Sequence, residues 1–461
     1  MRVALLTEAG PSFGFGHFGR CAALYDEFEL RGCSPTLCVR GCDSLPVGLV
    51  ESRRVTFGEW IDCPLDATSG CRVVVVDSYH APREVYEALS DHRAGLWIDD
   101  EARLDYPPGI VLNSGITSRR SMYPTDVGVL YLLGAAYHPL RAPFRRSPGR
   151  RFDRLSRAMV VFGGTDVRSL GRQMAHALSG VVDDVDLVTD CRTAEAMAAA
   201  MRAADVAVSA AGQTVFELAA SGTPTIAVVA ADNQRDGAEG WRRTGFAVVS
   251  GTWRDRDIVQ RVLNSVKETA DPQRRQRAAL AGAALIDGQG AARVVSKCIA
   301  MARASGLRMR EARATDSEAV LGVSNDPTVR MASFCARTIS PSRHDGWFRR
   351  RLEDPDTVFL VLEDDSGIMG QVRYQLVGNE AEVSISLASR LQGEGLALPL
   401  LERSIRELAE RRGSVEHVVA KIRPDNVLSQ KLFSNDGFEP SGRTEWDGKA
   451  ALRFVRRLRR G

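Results

Sequence analysis

The sequence predicts an α/β protein made of two successive Rossmann-like units followed by a smaller, mixed α+β domain. Three observations carry this. Short continuous apolar runs alternate with amphipathic stretches from Met1 to about Leu140, and the alternation restarts after residue 153. Runs of four or five β-branched or apolar residues between helices indicate a parallel sheet buried on both faces. A connector rich in proline and arginine, residues 141–153, separates the two series. Past Gly306 the strand-like runs crowd together, as in a largely antiparallel sheet rather than a third doubly wound unit.

The totals fit this division. A chain of 461 residues exceeds one ordinary core. Lys and Arg total 61 against 58 Asp and Glu, a net charge of +3, which points to neither a nucleic-acid partner nor an anionic membrane. No apolar run approaches the roughly 20 residues of a membrane span, and the apolar start, about four residues, is too short for a signal peptide. Nine cysteines occur without a C-x-x-C pair, so reduced, mostly buried thiols in a cytoplasmic protein are expected, with no metal. The arginine groups Arg145-Arg146 with Arg150-Arg151, and Arg456 to Arg460, read as solvated linker and tail.

In the first unit a strand over 3–6 leads into Phe13-Gly14-Phe15-Gly16-His17-Phe18-Gly19-Arg20-Cys21 and a helix over 21–30. Glycines there let backbone N–H groups approach an anion, and the helix start adds a favourable dipole end. As a histidine, His17 can exchange a proton with whatever the turn cradles, or can be a bystander in a passive nucleotide turn. Strand 73–76 ends at Asp77-Ser78-Tyr79, helix 82–89 follows, and strand 95–98 ends at Asp99-Asp100. Polar residues directly after such strands lie at the carboxyl edge, where open α/β sheets bind ligands. Asp99 reads equally as a turn or cap residue; Asp77, with Tyr79 beside it, reads more as a ligand contact.

In the second unit, strand 158–162 opens onto Gly163-Gly164-Thr165-Asp166. Strand 185–188, helix 193–203, strand 206–209, the turn Gly212-Gln213-Thr214 and strand Thr225–Val229 follow. A helical run over 272–304 would close this half. With no GxGxxG fingerprint, two such units suggest Rossmann-like domains facing a cleft. Free N–H groups at Gly212 to Thr214 can hold a diphosphate without a metal. Glu217, one turn on, is either a ribose acceptor or an ordinary helix residue, and Asn233-Gln234 can complete the pocket.

In the third domain, strands are expected at 308–313, 357–363, 370–376 and 382–387. A helix over 396–411 follows Arg390-Leu391-Gln392-Gly393-Glu394-Gly395, then a last strand His417–Ile422 and a helix over 426–436.

These motifs, in this order, carry a resemblance: Gly14-x-Gly16-His17-x-x-Arg20-Cys21, Val75-Val76-Asp77-Ser78-Tyr79, Ile98-Asp99-Asp100, Tyr131-Leu132-Leu133-Gly134 with Tyr137 and Leu140-Arg141, Phe162-Gly163-Gly164-Thr165-Asp166, Ala211-Gly212-Gln213-Thr214-x-x-Glu217 and Asn233-Gln234. Residues 1 to about 300 resemble the nucleotide-sugar hydrolases of pseudaminic acid biosynthesis, two-domain proteins of glycosyltransferase-B-like arrangement. The resemblance implies that water attacks the anomeric carbon, UDP departs, and no metal is needed. It makes His17 the base and Gly212, Gln213 and Thr214 the diphosphate site, with Glu217 on the ribose. It places Glu8, Gly14, Gly16, Arg20, Asp77, Tyr79, Gly163, Asn233 and Gln234 around the UDP-sugar. The family's Arg-x-Asp-x-Ser run is replaced by Leu6, Glu8 and Gly10, which keeps the acid and loses the arginine.

Arg390-x-x-Gly393-x-Gly395-x-Ala397 opens a helix straight after a strand, with N–H groups aimed at a pyrophosphate. Around it stand Asn325-Asp326, Val329-Arg330, His344, Trp347-Phe348, Gly370-Gln371-Val372-Arg373, Asn426, Ser429, Phe433 and Gly437-Phe438. Residues 307–458 resemble the GNAT N-acetyltransferases, notably those acetylating UDP-amino sugars. This implies acetyl-CoA as co-substrate, held by Leu387, Gln392, Gly393, Gly395, Leu396, Ala397, Asn426 and Ser429. Phe433 stands where many members place a tyrosine, so the departing thiolate takes its proton from water or Ser429, or leaves unassisted. Glu382 and His344 are base candidates, His344 equally a structural residue.

The expectation is a bifunctional enzyme with domains at 1–140, 154–304 and 307–461. It would acetylate a UDP-4-amino-dideoxysugar and hydrolyse the product to free sugar and UDP. Two rivals remain: a UDP-sugar-dependent glycosyltransferase, and a nucleotide-sugar-binding half attached to a lone acyltransferase. Acyl groups other than acetyl stay open, and nothing in the sequence indicates an oligomeric state.

Overall fold

The computed structural model describes residues 1–10, 12–91, 93–124, 128–145, 152–163, 166, 168–189, 192–435 and 437–458. Gly164, Thr165, Cys191, Asp436 and the arginines at 146, 150, 151, 459 and 460 lie outside the described residues.

The first sheet has seven parallel strands: β1 (Arg2–Glu8), β2 (Ser34–Arg40), β3 (Val55–Phe57), β4 (Val73–Asp77), β5 (Ala94–Ile98), β6 (Gly109–Asn113) and β7 (Val129–Leu133). Their order is β3-β2-β1-β4-β5-β6-β7. The second is parallel too: β8 (Arg157–Val161), β9 (Asp184–Val188), β10 (Val206–Ala210), β11 (Thr225–Val229) and β12 (Ala247–Thr252), in the order β12-β11-β10-β8-β9. Strand order reverses between β1 and β4 and again between β8 and β10. Chains leaving the carboxyl ends there diverge and open a crevice. The His17 turn, Asp77, Gly163 and Gly212 all lie at these two points.

The third sheet comprises β13 (Arg308–Glu311), β14 (Thr357–Asp364), β15 (Gly367–Val377), β16 (Glu380–Leu387), β17 (His417–Ile422), β18 (Glu439–Trp446) and β19 (Lys449–Arg457). The order is β13-β14-β15-β16-β17-β19-β18. Its pairs are antiparallel except β16 with β17, which pair only from Glu380–His417 to Val383–Ala420 and then part. His417–Ile422 is therefore not the last strand; two more follow.

Other expectations need correction. The first helix runs Gly16–Leu30, five residues earlier than expected, so His17 belongs to its first turn. The run 272–304 breaks into Pro272–Leu285 and Gly290–Ser305. The second of these does not close the second half. Its Ala291, Val294, Val295, Cys298 and Ala302 share a core with Leu5 of β1 and with Phe18, Leu24 and Phe28 of helix Gly16–Leu30. On its other side Ala300 and Ala304 join the core of the third sheet. Position 290 admits only glycine, because a Cβ there would meet the His138 carbonyl oxygen at 2.1 Å.

Helix Ala397–Arg411 completes the junction. Leu398 enters the first core, and Glu402 accepts a hydrogen bond from the Gly128 N–H at 3.0 Å and pairs with Arg456 at 2.7 Å. Arg456, expected in a solvated tail, is 4% exposed. Arg145, expected in a solvated linker, pairs with Glu27 at 2.8 Å. The eight described cysteines are free thiols, and no described helix is long and apolar enough to cross a membrane.

Candidate functional site

The first cluster forms where β1 ends. Gly10 and Gly14 exchange backbone hydrogen bonds at 3.2 and 2.8 Å, both with positive φ, +129° and +73°. This tight bend, open to glycine and not to L side chains, delivers helix Gly16–Leu30 with His17 and Arg20 on one face of its first turn. His17 Nδ1 lies 2.5 Å from Oδ1 of Asp77, the last residue of β4. An ionised carboxylate only accepts, so in the neutral ring the proton sits on Nδ1 and Nε2 carries the lone pair. Arg20 Nη2 also stands 3.2 Å from Nδ1, but the shorter carboxylate contact decides the tautomer. Nε2 has no hydrogen-bond partner among the described residues.

Arg20 binds two carboxylates at once. It donates to Asp77 at 3.0 and 2.8 Å, and to both oxygens of Asp100, just past β5, at 2.7 and 2.8 Å. Tyr79 donates its hydroxyl to Asp100 at 2.5 Å and sets its ring edge-on to His17, centroids 4.6 Å apart. Burial alone would raise the Asp100 carboxyl; the Arg20 charge outweighs it and holds the group down at about 2. Burial and the Asp100 charge push the Tyr79 hydroxyl well up.

Three residues expected around the UDP-sugar are thus spent inside the protein. Glu8, Arg20 and Asp77 are 0, 3 and 1% exposed. Glu8 accepts from Ser78 Oγ at 2.9 Å and from Arg40 at 3.0 Å, and lies 2.9 Å from His80 Nδ1. An arginine does reach this acid, from β2 rather than from position 6. Arg40 was not anticipated here; Ser78 and Asp100 belong to the polar runs read after β4 and β5, with no role assigned to either.

The second lobe offers the other wall. Gly212 and Gln213 follow β10, and the N–H groups of Gly212, Gln213 and Thr214 have no partner among the described residues. A Cβ on Gly16 would lie 3.4 Å from Gln213 Cγ, so the two glycine turns face each other across the lobes. Gln213 Oε1 is buried without a partner. Glu217 is half-buried and pairs with Arg141 at 2.9 Å rather than standing as a free helix residue. Gln234 Oε1 accepts from the Ala230 N–H at 2.9 Å, while its Nε2 borders Gly212. Asn233 and Gly163 are exposed, Gly163 with φ +82°. Behind this wall His138 stacks on Phe216, centroids 3.7 Å apart and planes within 8°. Burial, with repulsion from Arg20, drives its pKa down to about 3, a neutral ring at ordinary pH.

The third sheet carries a separate cluster. Gly393 and Gly395 have φ of +78° and +74°, and the N–H groups of Gly393, Glu394 and Gly395 have no partner among the described residues. They precede helix Ala397–Arg411, so dipole and free donors point the same way. Glu394 pairs with Arg303 of helix Gly290–Ser305. Gln392 pins the turn instead of reaching outward, donating to the Leu387 carbonyl at 2.7 Å and to Thr328 at 2.8 Å. Leu396 and Leu387 are buried in the core. Asn426 caps helix Val427–Asn435, accepting from the Ser429 N–H at 3.0 Å. Ser429 is half-buried, and Phe433 is buried edge-on to Phe438. Glu382 pairs with Lys421 at 2.8 Å. His344 is 1% exposed among Trp347 and Phe348, burial lowers its pKa, and its Nε2 is buried without a partner among the described residues. Among the described residues no three His, Cys, Asp or Glu side chains cluster to hold a metal.

Residues 306–439 match the family model of the acetyltransferase (GNAT) domain. A Bacillus subtilis (strain 168) protein described as a candidate ribosomal-protein-bS18-alanine N-acetyltransferase is 27% identical over 104 residues, 22% of this chain and 68% of its own length. The solved ribosomal-protein-alanine N-acetyltransferase of Brucella melitensis is 26% identical, covering 33% of this chain and 100% of its own, with TM-score 0.29. A Salmonella typhimurium protein described as a candidate acetyltransferase, solved with its cofactor acetyl-CoA, is 23% identical over 34% of this chain and 95% of its own, TM-score 0.29. Residues 306–439 thus form a GNAT acetyltransferase domain, of a family that uses acetyl-CoA as acyl donor.

Proposed function

We propose that the protein couples two reactions in the cytoplasm. The GNAT domain transfers acetyl to the 4-amino group of a UDP-linked amino-dideoxysugar. The two parallel-sheet lobes, in a glycosyltransferase-B arrangement, then hydrolyse the product at the anomeric carbon to free sugar and UDP. One observation carries the second half: an imidazole fixed by a buried carboxylate, with Nε2 unengaged, where the Gly16 turn meets the Gln213 turn.

In hydrolysis Nε2 takes a proton from water as the oxygen bonds to the anomeric carbon. The bond from that carbon to the diphosphate oxygen breaks, and UDP leaves with the electron pair. Asp77 keeps the ring oriented and balances the imidazolium. The unpartnered N–H groups of Gly212, Gln213 and Thr214 meet the charge gathering on the diphosphate. In acetyl transfer the neutral amine attacks the thioester carbonyl, a C–N bond forms as the C–S bond breaks, the nitrogen gives up a proton to water, and the thiolate departs. Phe433 has no proton to give, which leaves that role to water or Ser429. The gap opening between β16 and β17 past Val383 is where an acyl chain can lie between strands.

The test is incubation of the full chain with UDP-4-amino-4,6-dideoxy-N-acetyl-β-L-altrosamine, with and without acetyl-CoA, followed by mass spectrometry. Acetylated free sugar plus UDP, formed without any sugar acceptor, is the expected outcome. Acetylation with no UDP release would leave only the acetyltransferase, and release that requires an added acceptor would make the first half a glycosyltransferase.

A further inference from the structure

The turn that opens helix Ala397–Arg411 carries an acid where an anion is to bind. Glu394 stands between Gly393 and Gly395, both at positive φ, and the N–H groups of all three have no partner among the described residues. A carboxylate at that point repels a pyrophosphate approaching those donors. The motif's own arginine does not answer it, because Arg390 turns away and donates to Ser366 Oγ at 2.8 Å. Arg403, further along the helix, is engaged with the carbonyls of Ala304 and Leu307 at 3.3 and 2.6 Å.

The answering cation comes from outside the GNAT domain. Arg303, in the last turn of helix Gly290–Ser305 and just before the matched segment 306–439, pairs through Nη1 with Glu394 Oε2. Glu394 pairs with no other cation among the described residues, and Arg303 Nε and Nη2 have no hydrogen-bond partner among them. The Arg303 side chain is 58% exposed, so those donors face solvent. Packing fixes the two parts against each other. A Cβ on Gly395 would lie 3.6 Å from the Ala300 Cβ, one turn before Arg303. Leu398 of helix Ala397–Arg411 and Leu432 of helix Val427–Asn435 both reach the core that helix Gly290–Ser305 shares with the first lobe. An exposed ion pair adds little to stability, so the electrostatic weight of this one lies in what it does to the turn.

We propose that Arg303 belongs to the acetyl-CoA site: it cancels the Glu394 charge and offers its remaining N–H groups to the pyrophosphate, so that a helix of the preceding lobes completes the donor site. This rests on the GNAT reading of residues 306–439, and on neither the identity of the acceptor nor the reaction of the two parallel-sheet lobes. Acetyl-CoA therefore binds a surface made by two parts of the chain, with the glycine turn supplying neutral donors and the neighbouring helix supplying the charge.

The test is calorimetric titration of the full chain with acetyl-CoA, CoA and 3′-dephospho-CoA, which needs no acceptor. At about 0.05 M salt Arg303→Ala should weaken each by about 3- to 10-fold, and at about 0.5 M salt the difference should nearly vanish. Arg303→Lys should keep most of the affinity. Adding Glu394→Gln to Arg303→Ala should bring binding back to within about twofold of wild type, because the unmasked charge is then gone. Unchanged affinity in Arg303→Ala overturns the proposal. So does a loss that salt does not diminish and Glu394→Gln does not repair, which marks a structural role. A loss seen with CoA and absent with 3′-dephospho-CoA puts the cation on the 3′-phosphate and overturns the pyrophosphate assignment. Failure of wild type to bind any of the three removes the donor site itself, a different result from a site that binds without Arg303.

Discussion

The Asp77 carboxylate reaches His17 Nδ1 at 2.5 Å from the end of β4, and the same carboxylate takes two hydrogen bonds from Arg20 one helical turn past His17. Position and tautomer of the ring are therefore set by residues 60 positions apart in the chain. Asp77→Asn keeps the shape but offers Nδ1 an amide N–H, which moves the ring proton to Nε2. UDP release should fall by roughly 10²- to 10⁴-fold, about as far as in His17→Ala, with acetyl transfer intact. The double variant should be no worse than either single one. Wild-type UDP release from Asp77→Asn would sink the dyad.

His138 couples the lobes to acid. Its folded pKa is about 3 against an ordinary 6.5, so the unfolded chain takes up the proton first. Stability is then insensitive to this group above about pH 7 and falls as pH drops from 6.5 toward 3, by up to about 1.4 kcal/mol per pH unit. Urea unfolding midpoints of wild type and His138→Phe, compared at pH 7 and 5, should diverge because wild type loses more. Parallel losses would refute the assignment.

Arg456 and Glu402 hold the third sheet against the first lobe. Arg456→Met strands a carboxylate that is 5% exposed, and should cost about 3–5 kcal/mol. Adding Glu402→Gln, which keeps an acceptor for the Gly128 N–H, should recover most of it. Melting midpoints of the two variants check this, and equal midpoints would mean the pair is solvated.

Gly393 has open space around its missing Cβ but a φ of +78°, so Gly393→Ala tests backbone strain alone. A distortion of about 1–2 kcal/mol should raise the KM for acetyl-CoA by roughly 5- to 30-fold. UDP release from pre-acetylated substrate should not change. An unaltered KM would remove this turn from the acetyl-CoA site.

Much of the fold was legible because buried parallel strands leave continuous apolar runs: Val73 to Val76 and Thr225 to Val229 need little else to be read. Edge strands leave no such trace. β18, Glu-Pro-Ser-Gly-Arg-Thr-Glu-Trp, is exposed along nearly its whole length, and β3 has three residues. Motif order indicated which residues gather, and His17, Arg20, Asp77 and Tyr79 do meet. It did not separate the residue whose polar atom stays free from those consumed in holding it, since Glu8, Arg20 and Asp77 look like ligand contacts until their partners are seen. Nor did it show that the side chains of Gln392 and Asn426 are engaged within the protein, Gln392 with Leu387 and Thr328, Asn426 with Ser429 and Ala332.

By itself the sequence determined the local elements, the glycine bends and the chemical types at the carboxyl edges, because propensity, periodicity and steric freedom act over a few residues. Tertiary structure alone decided which buried charges pair and that helix Gly290–Ser305 serves the first and third sheets. Those outcomes depend on distances between residues remote in the chain, and electrostatic and packing energies are functions of distance in space, not of spacing along the backbone.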